Sequence, residues 1–302
     1  MVKTLVLNSS NIVAGTSNSV LRYNFPQGGV SLRDETIAVQ QISLYNSVFN
    51  ISAPLDNNVF SYIWVDGTTN TITMPADGIH LSLAQLNAYM QSVMVSNTHY
   101  MISGTSYVYF LELVVNQSRY AYQINAFALS TAIATAKGWT LPSGTLSWAL
   151  PTIPAGIVPM LQVPATNFQD LIGFSAGLYP NSVISGSSPS WVQTPVITSP
   201  YSELSDFPPQ IEPQTTYLGL CSLVNNRFVI PNQAIVSITP IDVDFGGLFS
   251  IQYSYAAFNK VEDGNYTSFD FRFVDSLGEA IEFQDPNIMI ILVMKHRSEM
   301  EY

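Results

Sequence analysis

Apolar and polar residues alternate with a period of two over much of this chain. Phe269, Phe271 and Phe273 are separated by single polar residues. The same spacing recurs over residues 120–124, and again over residues 249–255. Because successive side chains of a strand point to opposite faces of the sheet, each segment predicts a strand that is buried on one face.

Further strands are predicted wherever short apolar or β-branched runs are bounded by turn residues. These runs are Val20–Phe25, Thr36–Ile51, Val59–Val65, Tyr107–Val115, Thr216–Val224, Ala234–Ile241 and Ile288–Met294. In the second run the apolar phase shifts by one residue at Gln40 and Gln41, which indicates a β-bulge in a long strand. The fold class predicted from these patterns is all-β.

One segment has helical rather than strand periodicity. Leu83, Leu86 and Met90 follow one another at three- and four-residue steps, which places them on one face of a helix. Ser82 and Gln85 have the spacing of a capping box at its start. We therefore expect one amphipathic helix that packs against a core.

The composition changes between Trp139 and Pro213. Twelve of the 18 prolines lie between Pro142 and Pro213. Proline removes a backbone donor, so we expect ordered loops here, with only short edge strands. The arrangement predicts a single jelly-roll β-sandwich formed by residues 1–65 plus 206–302, with residues 66–205 as a large, mixed, mostly β inserted domain.

The balance of charge and hydropathy points to an assembly subunit. Hydrophobic residues make up 47% of the 302 residues, charged residues make up 10%, and the mean hydropathy is +0.21. Soluble proteins contain about 25% charged residues, and monomers rarely leave wide apolar patches exposed. We therefore expect part of the apolar surface to be covered by neighbouring subunits.

The negative net charge argues against nucleic acid as a partner. The net charge is −11, and no Lys or Arg lies between Lys137 and Arg227. Phosphate contacts need clustered cations, so we expect no direct nucleic-acid binding. No stretch approaches the roughly 20 apolar residues of a membrane-spanning helix, and none is expected. A single cysteine, Cys221, excludes a disulfide within the chain.

One short motif resembles a catalytic signature. Gly173 to Gly177 reads G-x-S-x-G, the pattern of a nucleophile elbow, and a serine hydrolase could use Ser175 with Asp270 and His296. That elbow leads from a strand into a helix, whereas Pro180 here obstructs a following helix. A structural turn is the favoured interpretation, and we expect no enzymatic activity and no catalytic residue.

Other candidate sites carry weaker signals. The histidines have no metal-ligand spacing, and we expect no metal site and no cofactor. Exposed acids could hold calcium, although exposed loops explain them as well. The histidines are His80, His99 and His296. The acidic residues are Asp242, Asp244, Glu262 and Asp263. A carbohydrate-binding jelly-roll module is an alternative if Trp148 and Trp191 are exposed to stack on sugars.

The run from Ile288 to Met294 is apolar on both faces, unlike a strand with one exposed face. One face must meet the sandwich core. The other must be covered by the insertion, by the N-terminal segment or by a neighbouring subunit. The candidate interface residues are Ile288, Ile290, Ile291, Leu292 and Met294.

Six stretches resemble the penton, or minor capsid, proteins of virophages and Polinton-like viruses, and the mavirus-like pentons in particular. They are Tyr23–Pro26, IAVQQISLYNSVFNI at 37–51, MPADGIHLSLAQLNAYM at 74–90, DLIGFSAGLYP at 170–180, LCSLVNN at 220–226 and DPNIMIILVMKH at 285–296. Their order and spacing over most of the chain carry the resemblance, since no single stretch is as specific as a catalytic signature.

This resemblance implies a structural capsid protein with a single jelly roll and an inserted domain. Five copies would form a homopentameric vertex capsomer that contacts a double-jelly-roll major capsid protein. The expected location is the virion, at the capsid vertices, after assembly in the cytoplasm of the host cell. The resemblance also makes the Gly173 to Gly177 segment a family turn.

Overall fold

Two units divide the chain in the computed structural model, which describes residues 2–197, 200–211, 216–225, 233–239, 243–275 and 278–299. The first unit combines Met1–Phe49 with Gln214–Tyr302, and the second is Asn50–Pro213. Strands predominate over helices in the described residues, which confirms the all-β fold class.

The strands are numbered in chain order. The first four are β1 Lys3–Leu7, β2 Val20–Asn24, β3 Val30–Leu32 and β4 Glu35–Tyr45. In the second unit they are β5 Val59–Ile63, β6 Thr69–Thr73, β7 Met101–Ser103, β8 Ser106–Val108, β9 Leu111–Asn116, β10 Ala121–Ala126, β11 Met160–Val163, β12 Gly177–Tyr179, β13 Val183–Ser185, β14 Val192–Thr194 and β15 Tyr201–Leu204. The remaining strands are β16 Tyr217–Cys221, β17 Ala234–Ile238, β18 Leu248–Gln252, β19 Asn259–Lys260, β20 Gly264–Tyr266, β21 Ser268–Val274 and β22 Met289–His296.

The first unit is a jelly roll. One sheet has the order β1-β22-β4-β18, and the other has the order β17-β16-β21-β2. Every pairing is antiparallel, and strands distant in sequence are neighbours in both sheets. These eight strands form a double-sheet jelly roll, and the short strand β19 also pairs with β4 as a fifth strand of the first sheet. The second unit lies in sequence between β4 and β16.

Side-chain alternation places the core of the first unit between its two sheets. Phe269, Phe271 and Phe273 of β21 are all buried, as their spacing predicts. The bulge predicted in β4 is confirmed at Gln40: Gln41 is the partner of Ile291, whereas the next residue of β22 has Val39 as its partner. Gln40 is therefore the extra residue, and the apolar positions on both sides of it face inward.

Two predicted strands differ from those observed. The sequence prediction took Val59–Val65 as a jelly-roll strand, but β5 pairs with β6 and β11 in the second unit. The eighth strand of the roll is instead β1, in which Leu5 and Leu7 face the core. Strand β18 ends at Gln252, so Tyr255 lies beyond it and is exposed.

These differences bear on the predicted domain boundaries. The units meet in sequence at 49/50 and 213/214, whereas the prediction was 65/66 and 205/206. Residues 50–65 belong with the second unit because the sheet pairings of β5 are made there. That each unit is a domain able to fold alone stays a prediction.

The second unit combines short sheets with three helices. A four-stranded sheet has the order β12-β11-β5-β6, a three-stranded sheet has the order β15-β10-β9, and β7-β8 and β13-β14 are separate pairs. The helices are α1 Leu83–Ser96, α2 Thr131–Lys137 and α3 Phe168–Ile172. The predicted capping box of α1 is confirmed: the Ser82 backbone N–H donates to Gln85 Oε1 at 2.8 Å, and the Gln85 N–H donates to Ser82 Oγ at 3.4 Å.

The proline-rich segment contains more regular structure than its composition predicts. Strand β11 lies inside the four-stranded sheet, between β12 and β5, rather than at an edge. It begins directly after Pro159 and ends directly before Pro164, so both prolines lie outside the hydrogen-bonded residues. Helices α2 and α3 were not predicted, because each is too short to show several turns of periodicity.

Within the described residues, no helix is long and apolar enough to cross a membrane.

A glycine at the centre of the β16 sheet generates the first prediction. Gly219 is buried, and a Cβ there would clash with Val236 Cγ1 and lie 2.6 Å from Phe271 Cζ. We expect Gly219→Ala to lower the free energy of unfolding by about 1–3 kcal/mol, because overpacking forces side chains or strands apart. Urea unfolding followed by far-ultraviolet circular dichroism measures this change.

Ser237→Ala is the matched control for that substitution, because Ser237 lies on the neighbouring β17 and is exposed. We expect it to change the free energy by less than about 0.5 kcal/mol. Equal midpoints for Gly219→Ala and the wild-type protein would contradict the packing argument.

Candidate functional site

The predicted interface strand is β22, the apolar strand between β1 and β4. Ile288, just before the strand, and Ile290, Leu292 and Met294 within it are buried in the core of the first unit. Ile291 points to the opposite face and is only half-buried. Of the five candidate interface residues, Ile291 alone therefore lies on a surface that a neighbouring molecule could reach.

Ile291 belongs to an uncharged part of the outer sheet face, which we term the neutral face and which ends where Lys295 of β22 and Lys260 of β19 flank Thr36. The strand registers place these residues together on it: Thr4, Val6, Gln41, Ser43, Tyr45, Leu248, Ser250, Gln252, Met289, Ile291 and Val293. Val6 and Leu248 are 45% and 55% exposed. The neutral face therefore presents aliphatic side chains to solvent across three of its strands.

The local sequence explains why this face is apolar. β22 pairs with β1 on one side and β4 on the other, so it lies inside the sheet. Across the neutral face, Ile291 lies between Val6 of β1 and Gln41 of β4. An aliphatic residue opposite another aliphatic residue stabilises the pairing and also leaves a hydrophobic surface.

The outer face of the opposite sheet has different chemistry. Arg22 donates two hydrogen bonds to Asp270, from Nε to Oδ1 at 2.8 Å and from an Nη to Oδ2 at 3.0 Å. Arg272 lies 3.6 Å from the same carboxylate. Hydrogen bonding from Arg22 lowers the pKa of Asp270 against the effect of burial. This face therefore holds a network of charges, unlike the neutral face.

The G-x-S-x-G motif is a helix-ending turn. It follows α3, with Gly173 in the left-handed conformation at φ +78°, and leads into β12, which is the reverse of the strand-to-helix order of a nucleophile elbow. The backbone N–H of Ser175 donates to Asp206 Oδ2 at 2.8 Å. Tyr179 Oη donates to the Ser175 carbonyl at 2.9 Å.

Electrostatics agree with a structural role for this turn. Hydrogen bonds from the backbone and side chain of Ser175 lower the pKa of Asp206. The Ser175 hydroxyl thus contacts a carboxylate and not an imidazole. The other members of the hypothetical triad lie in the first unit, where Asp270 binds Arg22 and His296 Nδ1 lies 2.8 Å from Ser298 Oγ. No nucleophile and base are paired at this motif in the described chain.

The tryptophans proposed for sugar stacking are buried. Trp148 and Trp191 are 5% and 7% exposed, and both belong to the core of the second unit. Trp148 Nε1 also donates to the Thr98 carbonyl at 3.2 Å. Neither ring presents a face to a ligand, so this part of the carbohydrate hypothesis is wrong.

Trp148 is part of a buried aromatic cluster around His99. The Trp64 and His99 rings are stacked, with centroids 4.6 Å apart and planes at 8°. Tyr62 Oη lies 2.8 Å from His99 Nδ1 and accepts a hydrogen bond from Asn97 Nδ2 at 3.0 Å. The Tyr62 hydroxyl and the His99 imidazole are therefore joined by a hydrogen bond inside the core.

Burial fixes the protonation of this pair. It lowers the pKa of His99 to about 4, against a smaller opposing effect of Asp66. Burial likewise raises the pKa of Tyr62 to about 12. The imidazole is therefore uncharged at neutral pH. It packs against the neighbouring aromatic rings and keeps its hydrogen bond with Tyr62.

The remaining candidate ligands do not converge. Glu262 Oε1 accepts a hydrogen bond from Asn225 Nδ2 at 2.9 Å, and Asp263 Oδ1 accepts one from the Asp34 N–H at 2.9 Å. Asp242 lies outside the described residues. Among residues whose positions are given, no three His, Cys, Asp or Glu side chains are close enough to share a metal ion.

Comparison with known proteins gives likenesses among solved structures. No protein-family model matches the chain, and no curated protein sequence matches it. A crystal structure of the mavirus penton protein is similar with a TM-score of 0.44 and 10% identity, covering 97% of this chain and 98% of that one. A chain of the Sputnik virophage, solved by cryo-electron microscopy, is similar with a TM-score of 0.41 and 11% identity, covering 100% and 99%. The first of these is a penton protein, and the second comes from a virophage.

The turn at Ser175 generates the second prediction. A fluorophosphonate probe should not label the protein, because the Ser175 hydroxyl has a carboxylate neighbour and no imidazole to accept its proton. Mass spectrometry of the probe-treated protein measures this, with Ser175→Ala as the control that removes the hydroxyl. Stoichiometric labelling that disappears in Ser175→Ala would contradict the structural interpretation.

The aromatic cluster generates the third prediction, on pH. In the unfolded state His99 has the ordinary histidine pKa of 6.5, whereas in the folded state its pKa is about 4. The contribution of the uncharged His99 to the free energy of unfolding is therefore complete above the unfolded-state pKa, and it is lost as the pH falls from that value towards 4. We expect the second unit to lose about 2 kcal/mol of unfolding free energy between pH 7 and pH 5.

Tryptophan fluorescence measures this loss selectively, since Trp64, Trp139, Trp148 and Trp191 all lie in the second unit. His99→Gln should remove most of the dependence over this interval. Replacing the exposed His296 by Gln should leave it unchanged. A wild-type stability that is constant from pH 7 to pH 5 would show that His99 is not buried as a neutral ring.

Proposed function

We propose that this chain is a structural capsid subunit and that copies of it associate through the neutral face. The observation that carries the proposal is the exposed, charge-free face around Ile291, beside a second sheet whose outer face is charged. Obligate interfaces resemble a protein core cut in half. Val6, Leu248 and Ile291 give the neutral face that character.

Net charge restricts where copies can meet. Each chain carries −11, so two copies repel one another unless the contact excludes charged side chains. The neutral face contains none, and its polar side chains are all uncharged: Thr4, Gln41, Ser43, Tyr45, Ser250 and Gln252. Apolar burial at this face opposes the long-range repulsion.

In the proposed assembly five copies form a ring at each capsid vertex. A five-fold ring is closed by head-to-tail contacts, so the neutral face meets a different surface of the next copy. The ring contacts a double-jelly-roll major capsid protein of the virion after assembly in the host cytoplasm. The five-fold number and this partner come from the sequence resemblance, and the contact surface comes from the fold.

The proposal assigns the chain no catalytic role. Ser175 lacks a base, Cys221 is buried in the core, and burial raises the pKa of its thiol to about 12. A buried thiol that stays protonated is a poor nucleophile. The described residues therefore support binding and packing rather than chemistry.

The fourth prediction tests the two faces of β22 separately. The wild-type protein should have about five times the 33.2 kDa chain mass by size-exclusion chromatography with light scattering. Ile291→Lys should give a folded monomer, because a buried unpaired charge weakens the contact by at least about a hundredfold. Ile290→Lys should fail to fold, because Ile290 is in the core.

Val183→Lys is the matched control. Val183 is an exposed aliphatic residue of the second unit, and its replacement by Lys should leave the assembly intact. A wild-type protein that stays monomeric at high concentration would overturn the assembly proposal. An Ile291→Lys protein that assembles normally would show that copies meet elsewhere.

A further inference from the structure

A tyrosine cluster lies on the β7–β8 hairpin of the second unit. Tyr107 is 51% exposed, and Tyr100 and Tyr109 are half-buried beside it. The ring centroids of Tyr100 and Tyr107 are 4.5 Å apart, with planes inclined at 46°. The two rings therefore form an open, inclined pair, with aromatic surface available to a ligand.

The hydroxyl groups of these tyrosines are available to hydrogen-bond a ligand. Within the described chain, no hydrogen bond involves the hydroxyl of Tyr100, Tyr107 or Tyr109. Burial raises the pKa of Tyr109, and the proximity of Tyr107 and Tyr100 raises it further, so the three side chains lie near one another. The cluster thus combines an apolar face with free hydrogen-bonding groups.

The hairpin that holds the cluster is fixed to the rest of the unit. Ile102 and Thr140 exchange two backbone hydrogen bonds of 2.9 Å each. The His99 N–H donates to the Met94 carbonyl at 2.7 Å, and Met101 is fully buried. A ligand would therefore meet rings that are already held in place, which reduces the entropy cost of binding.

The hairpin that carries the cluster contains no charged residue. Residues 98–110 contain no Asp, Glu, Lys or Arg, and the one imidazole, His99, is buried and neutral. Ser103, Thr105 and Ser106 are exposed and add further hydroxyl groups. A charged ligand would find no counter-ion here, whereas a polyol would find hydroxyl partners.

We propose that the β7–β8 hairpin binds a neutral saccharide. The C–H face of a pyranose ring stacks on Tyr107 and Tyr100, and its hydroxyls bond to the tyrosine and serine hydroxyls. A neutral saccharide fits this hairpin because it needs no counter-ion and offers hydroxyl groups to the free tyrosine and serine hydroxyls. This inference does not depend on the assembly proposed above.

The fifth prediction uses saturation-transfer NMR on the full chain with lactose, N,N′,N″-triacetylchitotriose and mannotriose as probes. At least one probe should receive saturation from the protein, and its titration should shift the ring resonances of Tyr100, Tyr107 and Tyr109. Tyr107→Ala should weaken binding about tenfold or more, because the stacking surface is lost. Tyr107→Phe keeps the ring and should stay within about threefold.

Tyr120→Ala is the control, because Tyr120 is 73% exposed and has no aromatic neighbour among the described residues. It should leave the affinity unchanged. The proposal is overturned if none of the three probes shows binding at a probe concentration of about 10 mM. A dissociation constant above that concentration would be weaker than ordinary single-site recognition. It is also overturned if the shifted resonances lie outside the three tyrosines, a measurement on the wild-type protein that does not need the variants to fold.

Discussion

The first unit depends on the antiparallel pairing of β4 with β22. These two strands form the centre of one sheet, and β1 and β18 add to their outer edges. The bulge at Gln40 lets the long strand β4 bend without turning its apolar residues outward, so Ile37 and Ile42 both remain in the core. Without that extra residue, one half of β4 would expose its apolar side chains.

The same pairing creates the surface proposed for assembly. A central strand needs apolar residues on its inner face, and β22 has them on its outer face as well. In the opposite sheet, β21 combines three inward phenylalanines with the outward Asp270 and Arg272. Two sheets of one sandwich thus differ in what they leave to solvent. The tyrosine hairpin of the second unit is a third kind of surface, aromatic and hydroxyl-bearing, on an element unrelated to the roll.

The sequence predicted those elements whose pattern is long enough to be distinctive. Strand β21, helix α1 with its cap, and the bulge in β4 each show several repeats of one period. The five residues of β1 show two inward positions, which is too few to separate a strand from a loop. Nothing in the pattern of β5 says that its partners are β6 and β11, because pairing is decided by tertiary contacts.

The candidate site was predicted in part for a related reason. An apolar run on both faces of a strand identifies a covered strand but not which residue faces which way, and only the register with β4 separates Ile291 from Ile290. For the aromatics, large rings give no indication of exposure. Trp148 and Trp191 proved to be core residues, whereas the hydroxyl-rich hairpin around Tyr107 is exposed. The sequence feature that could have indicated this exposed surface is the run of residues without charge around the three tyrosines.

The pairing of Leu5 with Leu292 has a consequence for synthesis on the ribosome. All strands of the second unit are synthesised before β16, and β22 follows last. At roughly 5–20 residues per second, β1 and β4 wait about 10–60 seconds for their central partner. During that interval their apolar residues and unpaired edges are open to other chains, as in slow folders with distant contacts. Nascent chains of this protein therefore pass through a period in which the future core of the jelly roll is not yet covered by its own central strand.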